Sequence, residues 1–349
     1  MSAPLRIGML GASRIAEESI IAATAETGDI RAAVAARDPE RARHYAAERG
    51  FSAAAESYAS LIEDDSLDLV YIGLPNGLHA EWAARALEAG RNVLVEKPFA
   101  ANLAEFDRVA ARLERSAGWA WEAFHYADHP AMHRLISHVR EGAIGEIRGV
   151  DVHMDMPAPA RRDPRWSFDL AGGALMDLGC YALHALLLLG DQLGGELGGV
   201  RLPTAAPLTL DFARAEGHTG DARVDATVVA GLELGGVPVS MHTSMASDEW
   251  NFGLRVRGSL GEVVLPNFVK PQEDGRLIVR TTTGAGVEER SEHLGASSSY
   301  THQLRRIRSA VRSGERSRVG LERSRRTMAL IDEVYTAAGL PLRPGRLAS

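Results

Sequence analysis

Short apolar runs alternating with helix-patterned stretches over the first third of the chain limit what it can fold into more than any other feature. The runs are Leu5–Leu10, Ile30–Ala36, Leu67–Ile72, Asn92–Val95 and Trp119–Glu122. A strand without a polar face is buried on both sides, and such strands separated by helices form a parallel sheet covered by its crossovers. The intervening helices have readable starts. Asp38-Pro39 supplies an N-cap and a proline at the first helical position. Asn102 with Glu105 has capping-box spacing, ahead of the stripe Leu103, Phe106, Val109 and Leu113. This half is therefore predicted to be doubly wound α/β.

The pattern changes after about Gly145. Leu170–Leu189 is too long for a strand and carries apolar residues at helical spacing. Val237, Val239, Met241, Thr243 and Met245 then alternate with a more polar set, and Phe252, Leu254 and Val256 repeat this before a Gly258-Ser259-Leu260-Gly261 turn. Strands in succession predict a large, mainly antiparallel open sheet and an α+β second domain. Two helices close the chain, with stripes Leu304/Ile307/Val311 and Met328/Ile331/Tyr335. The expected division is a dinucleotide-binding domain over 1–124 and a substrate-binding and oligomerisation domain over 125–349. The last helix is expected to pack back on the first domain, and the sheet to join copies into a homodimer or homotetramer.

Composition narrows the function. A 349-residue chain with a net charge of −7 has no overall electrostatic footprint for nucleic acid or an anionic membrane. Nine arginines between Arg305 and Arg326 are read as solvated helix faces interleaved with Glu315 and Glu322. Aromatics at 6% count against stacking platforms for carbohydrate or single strands. The single cysteine, Cys180, excludes an intramolecular disulfide framework and suits a reducing compartment. With no signal-like apolar stretch near Met1 and no apolar run of about 18 residues, a cytoplasmic protein is expected.

Gly11, Ala12, Ser13, Arg14, Ile15 and Ala16 join the first strand to the first helix. On the G-x-G-x-x-G/A fingerprint, Gly11 permits the turn, Ser13 lets the backbone approach a pyrophosphate, and Ala16 lets helix pack on strand. Ser13 departs from the second glycine, so the motif is weak by itself. An NAD enzyme places an acid at the end of the second strand, but this chain has Arg37 there, with Arg14 and Arg41 nearby. A guanidinium suits a 2′-phosphate, which favours NADP(H) over NAD(H). Asp38 is explained by its cap.

Glu96-Lys97-Pro98 then places an ionisable pair at the carboxyl edge of the sheet, where open α/β folds bind ligands. Taken with Leu74-Pro75-Asn76, His79 and Ala171-Gly172-Gly173-Ala174-Leu175-Met176-Asp177-Leu178-Gly179-Cys180-Tyr181-Ala182-Leu183-His184, these motifs resemble the glucose–fructose oxidoreductase / inositol dehydrogenase / MocA family. Gly261-Glu262-Val263 with Pro266-Asn267-Phe268, and Ala337-Ala338-Gly339-Leu340-Pro341, extend the resemblance over nearly the whole chain. Ala35-Ala36-Arg37-Asp38 and tyrosine at 181 are most similar to the NADP-dependent dihydrodiol and aldose dehydrogenase branch. The family often has three glycines where Ala171-Gly172-Gly173 stands.

The resemblance implies hydride transfer between nicotinamide C4 and a carbinol or carbonyl carbon of a sugar, polyol or related diol. Tyr181 is then the general acid/base. Lys97 is its electrostatic partner, expected to lower the tyrosine pKa. Exchange of those two roles stays open. Asp177 would orient Lys97 or substrate; Glu96, Asn76 and the turn residues would hold cofactor. Helical spacing puts Asp177, Tyr181 and His184 on one face, and Glu122, His125, Tyr126, Arg165 and Trp166 are further substrate candidates. His125, His129 and His133 recur every four residues, but Pro130 interrupts the helix they would need, so no metal is expected. The alternatives are a biosynthetic keto-sugar reductase, redox-neutral glycoside cleavage on bound NAD, and a non-catalytic NADP-binding sensor.

Overall fold

The computed structural model describes residues 3–194, 206–284 and 286–347. The first half is a six-stranded parallel sheet built from β1 (Arg6–Leu10), β2 (Ile30–Ala35), β3 (Ala53–Ala54), β4 (Leu69–Ile72), β5 (Val93–Val95) and β6 (Ala120–Glu122), in the order β3-β2-β1-β4-β5-β6. Strands β4 and β5 are buried throughout, as their unbroken apolar sequences require. A π-helical segment, Glu17–Ala22, runs into α1 (Ala23–Thr27). It is followed by α2 (Pro39–Arg49), α3 (Tyr58–Ile62), α4 (His79–Glu88) and α5 (Leu103–Leu113). Asp38 accepts from Glu40 N at 3.0 Å and Asn102 accepts from Glu105 N at 2.9 Å, so both expected caps form. Strand order reverses between β1 and β4, which opens a crevice at their carboxyl ends.

The second half begins with α6 (Pro130–Arg140) and β7 (Ile147–Asp155), then a π-helical turn Leu175–Gly179 that continues into α7 (Cys180–Leu193). The remaining strands are β8 (Leu208–His218), β9 (Asp221–Leu234), β10 (Val237–Ser244), β11 (Leu254–Gly258), β12 (Gly261–Leu265), β13 (Arg276–Thr283) and β14 (Gly286–His293). With β7 they form one sheet, ordered β14-β13-β12-β11-β7-β10-β9-β8, in which β7 and β10 are parallel and the other pairs antiparallel. Helix α7 covers one face of this sheet. Phe168–Leu193 is long and apolar enough to cross a membrane by length and composition, contrary to the expectation that no stretch reaches that length. Its most apolar window is 94% buried within the protein, which accounts for its composition as that of a core helix.

The closing helices are α8 (Ser299–Ser313) and α9 (Arg318–Ala337). Helix α9 returns to the first sheet: Arg325 pairs with Asp107 at 2.8 Å, Arg318 with Glu114 at 2.9 Å, and Asp332 accepts from Leu103 N at 3.0 Å. Much of the arginine cluster is thus used in contacts between the halves.

Candidate active site

Gly11 ends β1 at φ +102°, and a Cβ there would lie 2.7 Å from the Gly73 carbonyl oxygen. Only glycine lets the chain turn this close to the loop after β4. Arg41 donates to Ala12 O at 2.6 Å and Tyr45 to Ser13 O at 3.3 Å, so α2 holds the turn in place. Ser13 Oγ is buried with no hydrogen-bond partner among the described residues. A buried hydroxyl facing a glycine cradle at the sheet's crevice fits the diphosphate of a dinucleotide. Arg37 and Arg41 are exposed beside it. Arg14 instead reaches across to Asp163 at 3.1 Å.

Lys97 follows β5 at the same edge. Its Nζ donates to Asp177 O at 2.6 Å and Asp177 Oδ1 at 3.0 Å, and Arg165 Nε donates to Asp177 Oδ2 at 2.8 Å. Burial would raise the Asp177 pKa, but the Lys97 and Arg165 cations reverse this and hold it below the usual value. Burial likewise disfavours the Lys97 ammonium, and the Asp177 carboxylate nevertheless keeps its pKa above normal. The ammonium lies 4.8 Å from the Tyr181 ring centroid, over the ring.

Tyr181 sits in an aromatic pocket of Phe124, His125 and Tyr126. Its hydroxyl lies 3.1 Å from His125 Nε2, and His125 Nδ1 is 2.8 Å from Ser299 Oγ. Ser299 Oγ donates to Gln272 Oε1 at 3.2 Å or Val269 O at 3.4 Å, so its lone pairs are free to accept from His125 Nδ1–H. His125 thus bridges the Tyr181 and Ser299 hydroxyls through its two ring nitrogens. Burial pushes the Tyr181 pKa well up and the His125 pKa well down. The expected lowering of Tyr181 by Lys97 is therefore corrected. The lysine's charge is engaged by Asp177, and its head meets the ring rather than the hydroxyl.

A single sheet edge thus brings together a glycine cradle, a largely buried lysine, a carboxylate and a tyrosine. The chain matches the oxidoreductase family with an NAD-binding Rossmann fold over residues 5–124, and the GFO/IDH/MocA C-terminal domain over residues 132–264. It belongs to the GFO/IDH/MocA oxidoreductase family. A D-xylose 1-dehydrogenase (NADP(+)) from Haloferax volcanii is 33% identical over 96% of this chain and 97% of its own length. A dTDP-3,4-didehydro-2,6-dideoxy-alpha-D-glucose 3-reductase from Streptomyces violaceoruber is 34% identical, covering 96% of each. A 3-ketoreductase from Actinomadura kijaniata, crystallised with NADP and TDP-benzene, superposes with a TM-score of 0.84 at 29% identity, covering 96% of this chain and 98% of that one.

The other residues picked out for this GFO/IDH/MocA member take mainly supporting positions. Glu96 is buried and accepts from Tyr71 Oη at 2.7 Å. Asn76 donates to Ala171 O at 3.1 Å, tying the loop after β4 to the turn before Asp177. His79 places one ring nitrogen 2.7 Å from Pro98 O and the other 2.7 Å from Leu74 O. Pro75 precedes the 3₁₀ turn Asn76–Leu78, and Ile15 lies half-buried under the glycine turn. Glu122 accepts from Phe99 N at 2.7 Å and so braces the segment after Lys97. Trp166 stacks on His218 with ring centroids 4.1 Å apart. His184 does not join Asp177. It bonds Tyr126 Oη at 2.6 Å and stacks on Phe124. His125 and His129 are both engaged in hydrogen bonds.

The sequence reading missed Ser299, the partner of His125, and the buried cluster behind the turn. There Asp225 accepts from Leu175 N at 2.6 Å, from Tyr335 Oη at 2.9 Å and from Arg343, whose Nε donates to Gly172 O at 2.6 Å. Gly173 adopts φ +130°, with Asp225 filling the space of a Cβ. Ala171 has φ +56°, a left-handed conformation that glycine adopts without strain. This is the position where the family often carries its first glycine.

Proposed function

We propose that this oxidoreductase transfers hydride between NADP(H) and a CH–OH or carbonyl carbon of a sugar, polyol or related diol, with Lys97 and Tyr181 serving the reacting oxygen. The observation that carries the reading is the position of Lys97 at the carboxyl edge of the parallel sheet, beside Tyr181 and anchored by Asp177. Gly11 to Ile15, Leu74 to Asn76, Arg37 and Arg41 would hold the dinucleotide, and Arg37 its 2′-phosphate. NADP(H), when bound, supplies or accepts the hydride.

The protein supplies the charge and the proton. The Lys97 ammonium donates to the substrate oxygen and stabilises negative charge as it develops there. The Tyr181 phenol gives its proton to that oxygen and the phenolate is then reprotonated from solvent, while His125, held by Ser299, orients the hydroxyl. In the oxidative direction the phenol loses its proton to solvent and the phenolate takes that of the carbinol. Asp177 and Arg165 fix Lys97 rather than react. A keto-sugar reductase working in the opposite direction uses the same residues, and the 34% identity to a dTDP-sugar 3-reductase supports it as a second reading.

The chain divides in this account at 124/125, acts in the cytoplasm, and self-associates through the open sheet face, where Phe212 and Val229 are exposed. Light scattering tests the last point. Function is tested by titrating NADPH and NADH, then following reduced-nicotinamide absorbance against aldoses, polyols, free keto-sugars and nucleotide-linked keto-sugars. Turnover of a sugar with NADP(H) supports the reading. Cofactor retained through purification with no net absorbance change during glycoside cleavage favours the redox-neutral alternative. Binding without turnover of any substrate favours the sensor.

A further inference from the structure

Strand β7 alternates Val150, Val152 and Met154 toward the helices with Asp151, His153 and Asp155 toward the other face of the sheet. Strand β10 pairs with it in parallel, His242 directly opposite His153 and Ser244 opposite Asp155. This register gathers two imidazoles and a carboxylate. His242 Nδ1 lies 2.6 Å from Asp155 Oδ1 and His153 Nδ1 lies 3.6 Å from Asp155 Oδ2. The three ligating atoms fall within 4.8 Å of one another.

Asp155 is the informative member. Its side chain is only 9% exposed, yet its ion-pair partners among the described residues are these two histidines alone. The nearby arginines are engaged: Arg257 pairs with Asp151 at 2.8 Å and Arg255 approaches Glu262 at 3.7 Å. The carboxylate and the two imidazoles converge between the paired strands, a nitrogen–oxygen donor set that suits a divalent cation. The imidazoles are 43% and 36% exposed in the single chain, so an ion can enter before two copies pair through this face.

We propose that His153, Asp155 and His242 form a binding site for a divalent first-row transition-metal ion, with Zn²⁺ the best match, on the open face of the eight-stranded sheet. Two nitrogens and one carboxylate oxygen suit this class, and three protein ligands leave a tetrahedral position for water. Ligand atoms about 2 Å from a shared ion lie roughly 3.3 Å apart. The observed spacings of 2.6 Å and 3.6 Å bracket that value. The site faces away from Lys97 and Tyr181, so the metal takes no part in hydride transfer.

The test uses full-length, untagged protein stripped with chelator, titrated with Zn²⁺ by calorimetry and with Co²⁺ by visible absorption. One saturable equivalent per chain is expected, with a cobalt ligand-field band. Its affinity should fall about ten-fold or more in His153→Ala and His242→Ala, and stay unchanged in His44→Ala, an exposed imidazole elsewhere. Sugar turnover should be the same in all variants, which also reports their folding. If His242→Ala does not fold, His153→Gln makes the same comparison. A native chain that takes up no saturable equivalent, or one whose equivalent survives loss of His153 and His242, overturns the proposal.

Discussion

At the scale of single residues, the account rests on what each polar side chain touches. His125 links Tyr181 to Ser299 while fully buried, with both ring nitrogens satisfied. Ser299→Ala keeps the imidazole but removes its Nδ1 partner. It should lower kcat by about ten-fold and displace the pH profile of turnover, with NADPH affinity unchanged. Steady-state kinetics across pH would check this, and an unmoved profile would reduce Ser299 to a packing residue. Arg37 is exposed, and in the proposed reading it faces the 2′-phosphate. Arg37→Ala should weaken NADPH by about ten-fold to a hundred-fold and leave NADH nearly unaffected, as expected for loss of a charge-assisted contact. Fluorescence titration with both cofactors reads the difference.

At the scale of elements, the turn from Ala171 to Gly179 sets where Asp177 and Tyr181 stand. Asp225 holds the first amide of that turn and Arg343 the carbonyl of Gly172, both without exposed side-chain surface. Breaking a buried pair leaves an uncompensated charge, so Arg343→Ala should destabilise the protein by about 3–5 kcal/mol in urea unfolding. Glu122 braces the segment after Lys97 at a different cost. Burial pushes its carboxyl up to about 7 from 4.5. Between those values the unfolded chain ionises while the folded one keeps its proton, so this group subtracts stability as pH rises. Glu122→Gln should match the parent near pH 4 and gain up to about 3 kcal/mol above pH 7. Unfolding curves at the two ends of that range would show it, and an equal gain at both would contradict the assignment.

The fold of the first half was legible because its strands are nearly continuous apolar runs. The exception was β3, whose two residues, Ala53 and Ala54, carry no pattern. In the second half β10 and β11 showed their alternation. Strand β14 is exposed along almost its whole length and gave no hydrophobic signal. Lys97, Asp177 and Tyr181 stood out because each is an ionisable group in an otherwise apolar setting. Ser299, Asp225 and Arg343 did not, since they reach the site only through long-range folding. His184 was misplaced because the spacing argument assumed a regular helix, whereas the π-turn Leu175–Gly179 alters its phase before Tyr181.

At the scale of the whole molecule, the proposed chemistry depends on the two halves meeting. The cofactor cradle and Lys97 come from the first, Asp177 and Tyr181 from the second, and the Lys97–Asp177 contact spans them at 3.0 Å. Helix α9 reinforces the junction through Asp107, Glu114 and Leu103. One variant separates binding from catalysis. The most direct measurement is single-turnover sugar oxidoreductase activity of Lys97→Ala alongside its NADPH affinity. The account predicts that the rate falls by about 10²–10⁴ while NADPH binds as in the parent. A near-normal rate with unchanged binding would contradict it.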